Sequence, residues 1–317
     1  MLLEKNQRIF VAGHRGMAGS ALVRTLTAAG YENIITAPRG EVDLRDRTQV
    51  ERFFEREKPE AVFLAAARVG GIEANRRAPA DFIFDNLAIQ NNVIDVAWRN
   101  GTKRFIFLGS SCIYPRDCPQ PIREEYLLTG PLEPSNEAYA IAKIAGIRMA
   151  QAYHAQHGLS VLSVMPCNLY GTNDSFDLRS SHVLSALVRK FVDAVDGGQS
   201  QVTVWGTGTP LREFLHVDDL ARAVVLLAEQ WDSPEIVNVG SGTDCSIREL
   251  AELIASKAGF RGELVWDTSM PDGTPRKLLD VSRLASLGFT PSIPLERGVE
   301  LMIEEYRARR DGGTLER

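Results

Sequence analysis

Apolar runs and helical stripes alternate along the first half of the chain. Arg8–Ala12 (RIFVA) is a short apolar run ending at a glycine, and Met17–Ala29 follows as a helix closed by Gly30. Asn33–Thr36 predicts a β-branched strand, Thr48–Lys58 a helix stopped at Pro59, and Ala61–Ala66 (AVFLAA) a buried strand. Asp81–Asn100 carries Phe82, Leu87, Ile89, Val93, Ile94 and Ala97 at helical spacing. Strand Arg104–Leu108, helix Ala138–Gln156 and strand Ser160–Met165 continue the series. Strands with little in–out alternation, separated by helices of this length, predict an α/β fold: a doubly wound, mostly parallel Rossmann sheet.

The rhythm loosens after Gly171. Helix His182–Asp196, strand Val202–Trp205, helix Leu220–Glu229, strand Ile236–Val239 and helix Ile247–Ala258 with Gly259 behind it are expected. Residues 1–170, with returning segments near 214–240, are expected to form one domain, and 171–213 with 241–317 a smaller C-terminal α/β lobe. The polar tail Arg307–Arg317 is expected to fray.

Composition narrows the classes. The chain has 317 residues, 44% apolar and 24% charged, which suits a globular protein and excludes a disordered or collagen-like one. Its net charge of −5 argues against a general nucleic-acid surface. No apolar run reaches membrane-spanning length, and the charged start Met1–Arg8 is unlike a secretory leader. The four cysteines (Cys112, Cys118, Cys167, Cys245) are irregularly spaced, which predicts free thiols and a cytoplasmic protein, with no metal centre.

Two stretches carry chemistry. Gly13-His14-Arg15-Gly16-Met17-Ala18-Gly19 stands where the first strand turns into the first helix, with GxxGxxG spacing. Gly13 permits the tight turn, Gly16 lets the backbone approach a pyrophosphate, and Gly19 lets helix and sheet pack closely. The helix start then offers free N–H groups to phosphate. At the end of the second strand stands Arg39 rather than an acid, and Arg15 lies in the turn. Two guanidiniums near one ribose favour a 2′-phosphate, hence NADP(H). Glu41 and Asp43 are the competing acids, and Asp43-Leu44 is an alternative contact for the adenine. Tyr139 and Lys143 share a helix face after the strand that ends in Gly109-Ser110-Ser111. A phenol beside an ammonium and a positively charged cofactor is expected to ionise more easily. It would exchange a proton with a substrate oxygen that Ser110 also binds.

GxxGxxG, the strand-end serines, Tyr139-x-x-x-Lys143, Asn168-Leu-Tyr170-Gly171 and Arg212-Glu-Phe-Leu-His216-Val-Asp218-Asp219 together resemble the extended short-chain dehydrogenase/reductases over nearly the whole chain. The stretches LGSSCIYP (108–115), MPCNLYG (165–171), VWGTGTPLREFLHVDD (204–219) and PDGTPRKLLD (271–280) narrow the likeness to members acting on GDP-linked 4-keto-6-deoxyhexoses. Met165-Pro166 stands where the family often has Arg-Pro, and Thr172 where Pro often follows the glycine, which bears on the loop Gly171–Asp177.

The resemblance implies roles. Leu108, Gly109, Pro166, Asn168, Leu169 and His182 would join Tyr139, Lys143 and the glycine turn around the cofactor. Cys112 would be a carbon base and His182 the acid on the opposite face, inverting C3 and C5 beside a C4 ketone. A thiol and an imidazole are suitable types for such proton transfers. Reduction at C4 by NADPH would follow, with Tyr139, Lys143 and Ser110 serving the oxygen. Lys190, Trp205, Arg212 and Asp272 match nucleotide-sugar contacts by position. His216 is expected to bond within its own turn. Helices 81–100 and 138–156 are expected to pair across a two-fold axis in a homodimer. Alternatives are the same chemistry on a 3,6-dideoxy sugar, a C4 epimerase of UDP-hexoses, and a non-catalytic nucleotide-binding regulator. Arg39 and Cys112 weigh against the second, and the complete Ser110, Tyr139 and Lys143 against the third.

Overall fold

The computed structural model describes residues 1–178, 181–270 and 272–315. Its centre is a six-stranded parallel sheet of β1 (Ile9–Ala12), β2 (Ile34–Ile35), β3 (Ala61–Leu64), β4 (Arg104–Leu108), β5 (Ser160–Pro166) and β9 (Val237–Val239), in the order β2-β1-β3-β4-β5-β9. Phe10 pairs with Val62, Phe63 with Ile106 and Phe107 with Ser163. β1, β3, β4 and β5 are buried at every position, because helices cover both faces, and so their sequences run apolar without alternation.

Helices α1 (Met17–Ala28), α2 (Arg47–Glu57), α3 (Ile72–Arg77), α4 (Pro79–Arg99), α5 (Glu137–His157) and α7 (Val217–Gln230) surround the sheet. α1 packs on α7, and α4 packs on α5 and α2. Local signals set their ends. Asp46 caps α2 by accepting from Thr48 N at 2.9 Å, and Lys58 ends it in the left-handed conformation before Pro59. Among the described residues no helix is long and apolar enough to cross a membrane.

A second core lies between α6 (Val183–Asp196), α8 (Ile247–Ala258) and α10 (Leu295–Asp311), with Phe176, Phe191, Ile254, Met302 and Tyr306 at its centre. Above it stand the parallel pair β7 (Gln201–Trp205) and β11 (Glu263–Asp267), and the set β10 (Asp244–Ser246), β8 (Leu211–His216) and β12 (Arg276–Lys277), with β6 (Asn168–Tyr170) on β8. The sequence pattern misses α3, β6, β8, β10, β11 and β12. All are two to six residues long, and the strands among them exist through pairing with distant partners rather than through local preference.

Two expectations are corrected. The tail does not fray at Arg307, since α10 continues to Asp311. Arg309 Nη1 donates to Asp174 O at 2.7 Å and Arg310 Nη1 to Asp196 Oδ2 at 2.5 Å. Residues 316–317 of that tail lie outside the described residues. The stretch around α9 (Ser282–Ala285) was expected in the smaller lobe, yet Leu279, Leu284 and Phe289 belong to the sheet's core. The reason is a polar latch: Asn238 Nδ2 on β9 donates to Ile122 O at 2.9 Å and to Asp280 O at 3.1 Å.

Candidate active site

The first turn is built so closely that only glycine fits it. Gly13 has φ +88°, and a Cβ there would stand 2.7 Å from Ala66 N. A Cβ on Gly19 would stand 2.6 Å from the Gly13 carbonyl carbon and 2.9 Å from His14 N, so α1 touches the turn backbone to backbone. Gly16 N donates to Gly13 O at 2.9 Å and starts α1, while Met17 packs on the core. The turn opens into a cleft of about 870 Å³ at the carboxyl ends of the strands, the usual ligand position in such sheets.

Every residue expected at the cofactor or in catalysis lines this one cleft: Gly13, His14, Arg15, Gly16, Met17, Gly19, Arg39, Asp43, Leu44, Leu108, Gly109, Pro166, Asn168 and Leu169, together with Ser110, Cys112, Tyr139, Lys143 and His182. The acids near the second strand do not leave a bare negative edge. Asp43 accepts from Arg45 Nε at 3.0 Å and Nη2 at 2.7 Å, and these bonds hold its carboxyl down at about 2. Arg39, 72% exposed, approaches Asp43 only to 3.6 Å. Arg15 and Arg39 thus face the cleft as cations while Arg45 balances Asp43. Among the described residues His14 Nδ1 is buried without a partner. A glycine cradle, a helix start, two guanidiniums and an orphaned imidazole nitrogen suit a dinucleotide with an extra phosphate.

The reacting side chains gather at the far end. Lys143 is 4% exposed, and its Nζ donates to Leu108 O at 2.8 Å. Burial pushes it down to about 8. Burial drives Tyr139 up, Cys112 adds to this, and a hydrogen bond with Ser110 pulls the other way. Lys143 thus does not supply its share of the lowering expected for Tyr139; the share expected from a bound cofactor's positive charge is separate from it. The ammonium lies 5.9 Å from the phenol's ring centroid, points to a carbonyl, and is itself disfavoured by burial. Tyr139, half-buried in the cleft wall, therefore holds its proton more firmly than a free phenol does, and the neutral phenol is the form that donates a proton.

Cys112 sits in a 3₁₀ turn, Ser111–Ile113, capped by Ser110, whose Oγ accepts from Cys112 N at 3.2 Å. Two donors missed by sequence reasoning reach its sulfur: Asn136 Nδ2 at 3.2 Å and Lys277 Nζ at 3.6 Å. Asn136 precedes Tyr139 by one helical turn, a spacing the sequence does display. Lys277 lies 165 residues from Cys112, and nothing local marks it. The other amide atom, Asn136 Oδ1, is buried and has no partner among the described residues, so it can accept from a ligand hydroxyl. His182 opens α6 at the rim of the cleft, exposed, with buried Asp174 behind it accepting from Ser185 Oγ. Ser180, two residues before His182, lies outside the described residues.

The four residues expected at the nucleotide sugar lie apart from that cleft, on the second lobe. Lys190 Nζ stands 5.6 Å from the Trp205 ring centroid, and Trp205 is 51% exposed. Asp272 accepts from Thr207 N at 2.7 Å and Oγ1 at 2.9 Å. Arg212 Nη2 donates to Asp272 O at 3.4 Å, and Arg212 is close enough to feel Cys112. His216 Nδ1 accepts from Asp218 N at 3.2 Å, within its own turn. Pro271, the first residue of a stretch quoted for the resemblance, lies outside the described residues.

A doubly wound parallel sheet with a phosphate-type glycine turn and a Ser–Tyr–Lys set at its carboxyl edge defines a dinucleotide-dependent enzyme of the short-chain type. The chain belongs to the NAD dependent epimerase/dehydratase family, whose model matches residues 9–240. It is 58% identical over 305 residues to an Arabidopsis thaliana protein named putative GDP-L-fucose synthase 2, covering 96% of this chain and 93% of that one. It is 49% identical over 314 residues to the GDP-L-fucose synthase of Escherichia coli (strain K12), covering 96% and 98%. A solved GDP-L-fucose synthetase from Naegleria fowleri bound to NADP superposes with a TM-score of 0.90 at 28% identity, covering 98% of this chain and 97% of that one.

Proposed function

We propose that this protein converts GDP-4-keto-6-deoxy-D-mannose to GDP-L-fucose, inverting C3 and C5 and then reducing C4 with NADPH. The observation that carries the reading is Cys112. A thiol held by two donors shares one cleft with the Ser110–Tyr139–Lys143 set and with an imidazole at the rim. A simple carbonyl reductase has no use for a carbon base there.

The chain's own groups divide the work. Gly13, Gly16 and the start of α1 receive the pyrophosphate, and Arg15 and Arg39 the 2′-phosphate. Arg212, Lys190, Trp205 and Asp272 hold the GDP end, anchoring the hexose through atoms remote from the reacting carbons. The Cys112 sulfur takes the proton from C3, and the electron pair moves into an enolate whose oxygen, O4, rests on Ser110 and Tyr139. His182 protonates C3 from the opposite face, and the same exchange follows at C5. NADPH, when bound, supplies the hydride for C4. Tyr139, kept protonated by its burial, gives its proton to O4. Lys143, tied to Leu108 O, orients the site.

We further infer a division in which residues 1–170 with 214–240 bind NADP(H), while 171–213 and 241–317, apart from the stretch around α9, bind the GDP-sugar. A homodimer through α4 and α5 is supported by Phe84, 69% exposed on α4, and Ile141, 43% exposed on α5. Free thiols on all four cysteines support a cytoplasmic setting, which a fluorescent fusion checks by its distribution in cells.

The test is turnover of GDP-4-keto-6-deoxy-D-mannose with NADPH in D₂O, followed by NMR of the product sugar. Deuterium at C3 and C5 with both centres inverted is expected. Reduction without deuterium would leave only a C4 reductase and remove Cys112 and His182 from the chemistry.

A further inference from the structure

Lys277 is placed with unusual care for a residue on a strand of only two residues. β12 pairs with β8 so that Lys277 stands beside Arg212. Its neighbour Arg276 is anchored by Asp244 at 2.6 Å. Just beyond it the chain is strapped to a distant loop: Leu278 N donates to Gln120 Oε1 at 2.9 Å, Ile122 N to Leu278 O at 2.7 Å, and Asp280 N to Ile122 O at 2.8 Å. With the backbone fixed on both sides, the ammonium reaches over to Cys112 Sγ at 3.6 Å. Among the described residues it has no carboxylate within ion-pair distance, although most cations of this chain do. A cation that forgoes carboxylates for a sulfur gains most when that sulfur is a thiolate.

We propose that Lys277 is a positioning residue for the two carbon inversions: its ammonium holds the Cys112 thiolate against the substrate's C3 and C5 hydrogens. This rests on the epimerase–reductase reading above. In each inversion the sulfur lone pair forms an S–H bond as the C–H bond breaks, and that bonding pair enters the enolate. The enolate carbon then takes a proton on its other face, from His182. Before the second inversion Cys112 must give up its proton to water and His182 must take one from water, so the charged sulfur is needed twice in every turnover. Hydride transfer to C4 makes no such demand, because O4 is served by Tyr139 and Ser110. Lys277 therefore acts on one half of the chemistry. Asn136, the second donor, supplies direction without charge.

The experiment separates the two halves. Deuterium wash-in at C3 and C5 of GDP-4-keto-6-deoxy-D-mannose, without NADPH, reads proton abstraction. Oxidation of GDP-L-fucose by NADP⁺ reads hydride transfer alone. Lys277→Met is expected to lower the ratio of wash-in to hydride transfer at least about tenfold, since misplacing a reacting group by about 1 Å can cost that much or more. The loss is expected in kcat rather than KM, with alkylation of Cys112 by iodoacetamide slowed in parallel. Lys277→Arg should restore most of both. Lys277→Gln serves in place of Met if that variant does not fold. An unchanged ratio, whether from intact wash-in or from both halves falling together, overturns the proposal. Failure of the wild type to wash in deuterium would instead defeat the epimerase reading itself.

Discussion

Replacing Gly19 with alanine adds one methyl group at the tightest contact of the glycine turn. The new Cβ would lie 2.6 Å from the Gly13 carbonyl carbon and 2.9 Å from His14 N, and closer still to the Gly13 oxygen. The first contact falls short of the ordinary limit of 3.4 Å by about 0.8 Å. None of these atoms belongs to a flexible side chain, so α1 and the turn must separate. Overpacking of this kind costs about 1–3 kcal/mol of stability. The same movement carries Gly13 and Gly16 away from the place where a pyrophosphate would sit. Losing one or two charge-assisted hydrogen bonds, at roughly 1.5–3 kcal/mol each, weakens NADPH by about 10- to 100-fold or more. Urea denaturation reads the first quantity and titration calorimetry the second. A Gly19→Ala protein with wild-type stability and wild-type NADPH affinity would show that helix and turn are not in contact as described, and that this turn does not hold the phosphates.

Three further outcomes are expected. Arg39→Ala should weaken NADPH by roughly fivefold, about 1 kcal/mol for an exposed charge, and leave NADH nearly unaffected. Equal effects on both cofactors would place the 2′-phosphate elsewhere. Phe84→Asp, on the exposed face of α4, should shift the protein toward monomer in sedimentation velocity, and identical profiles for variant and wild type would move the dimer interface off α4. Glu213 is buried and accepts from Gly242 N at 2.7 Å and Leu279 N at 3.0 Å, yet burial pushes its carboxyl from 4.5 up to about 7. A folded-state value above the unfolded one means that its contribution is greatest below about pH 4.5 and is lost as pH rises to about 7. Wild type minus Glu213→Gln stability should thus decline across that window by on the order of 2–3 kcal/mol in denaturant titrations; a flat difference would show that Glu213 is ionised throughout.

Much of the site was legible in the chain because it is local. The glycine turn, the Ser110–Cys112 stretch and the Tyr139–Lys143 pair each occupy a few consecutive residues at the end of a strand or the start of a helix. A parallel sheet aligns all such ends on one edge, so recognising the strands brought the glycine turn, Ser110 and the Tyr139–Lys143 pair together, whereas His182, at the start of α6, came in through the family resemblance. The long helices were equally readable: Ile247–Ala258 has its capping box Ser246–Glu249 and its terminal Gly259 written beside it.

What tertiary structure decided is everything that depends on distant partners. β8, whose LREFLH mixes charged with apolar residues, and the two-residue β12 do not declare themselves in the sequence; they exist because they pair, and that pairing helps carry Lys277 to a sulfur 165 residues earlier. The stretch around α9 joins the sheet's core because Asn238 holds the backbone at Asp280, a bond no composition reveals. The state of Tyr139 likewise follows from burial, which outweighs the nearby charge that sequence spacing alone emphasised. Sequence determined which chemistry the chain can offer, since residue type and local spacing are written in it. Folding determined where each charge is desolvated and what it touches, because those quantities are set by neighbours contributed from the whole chain.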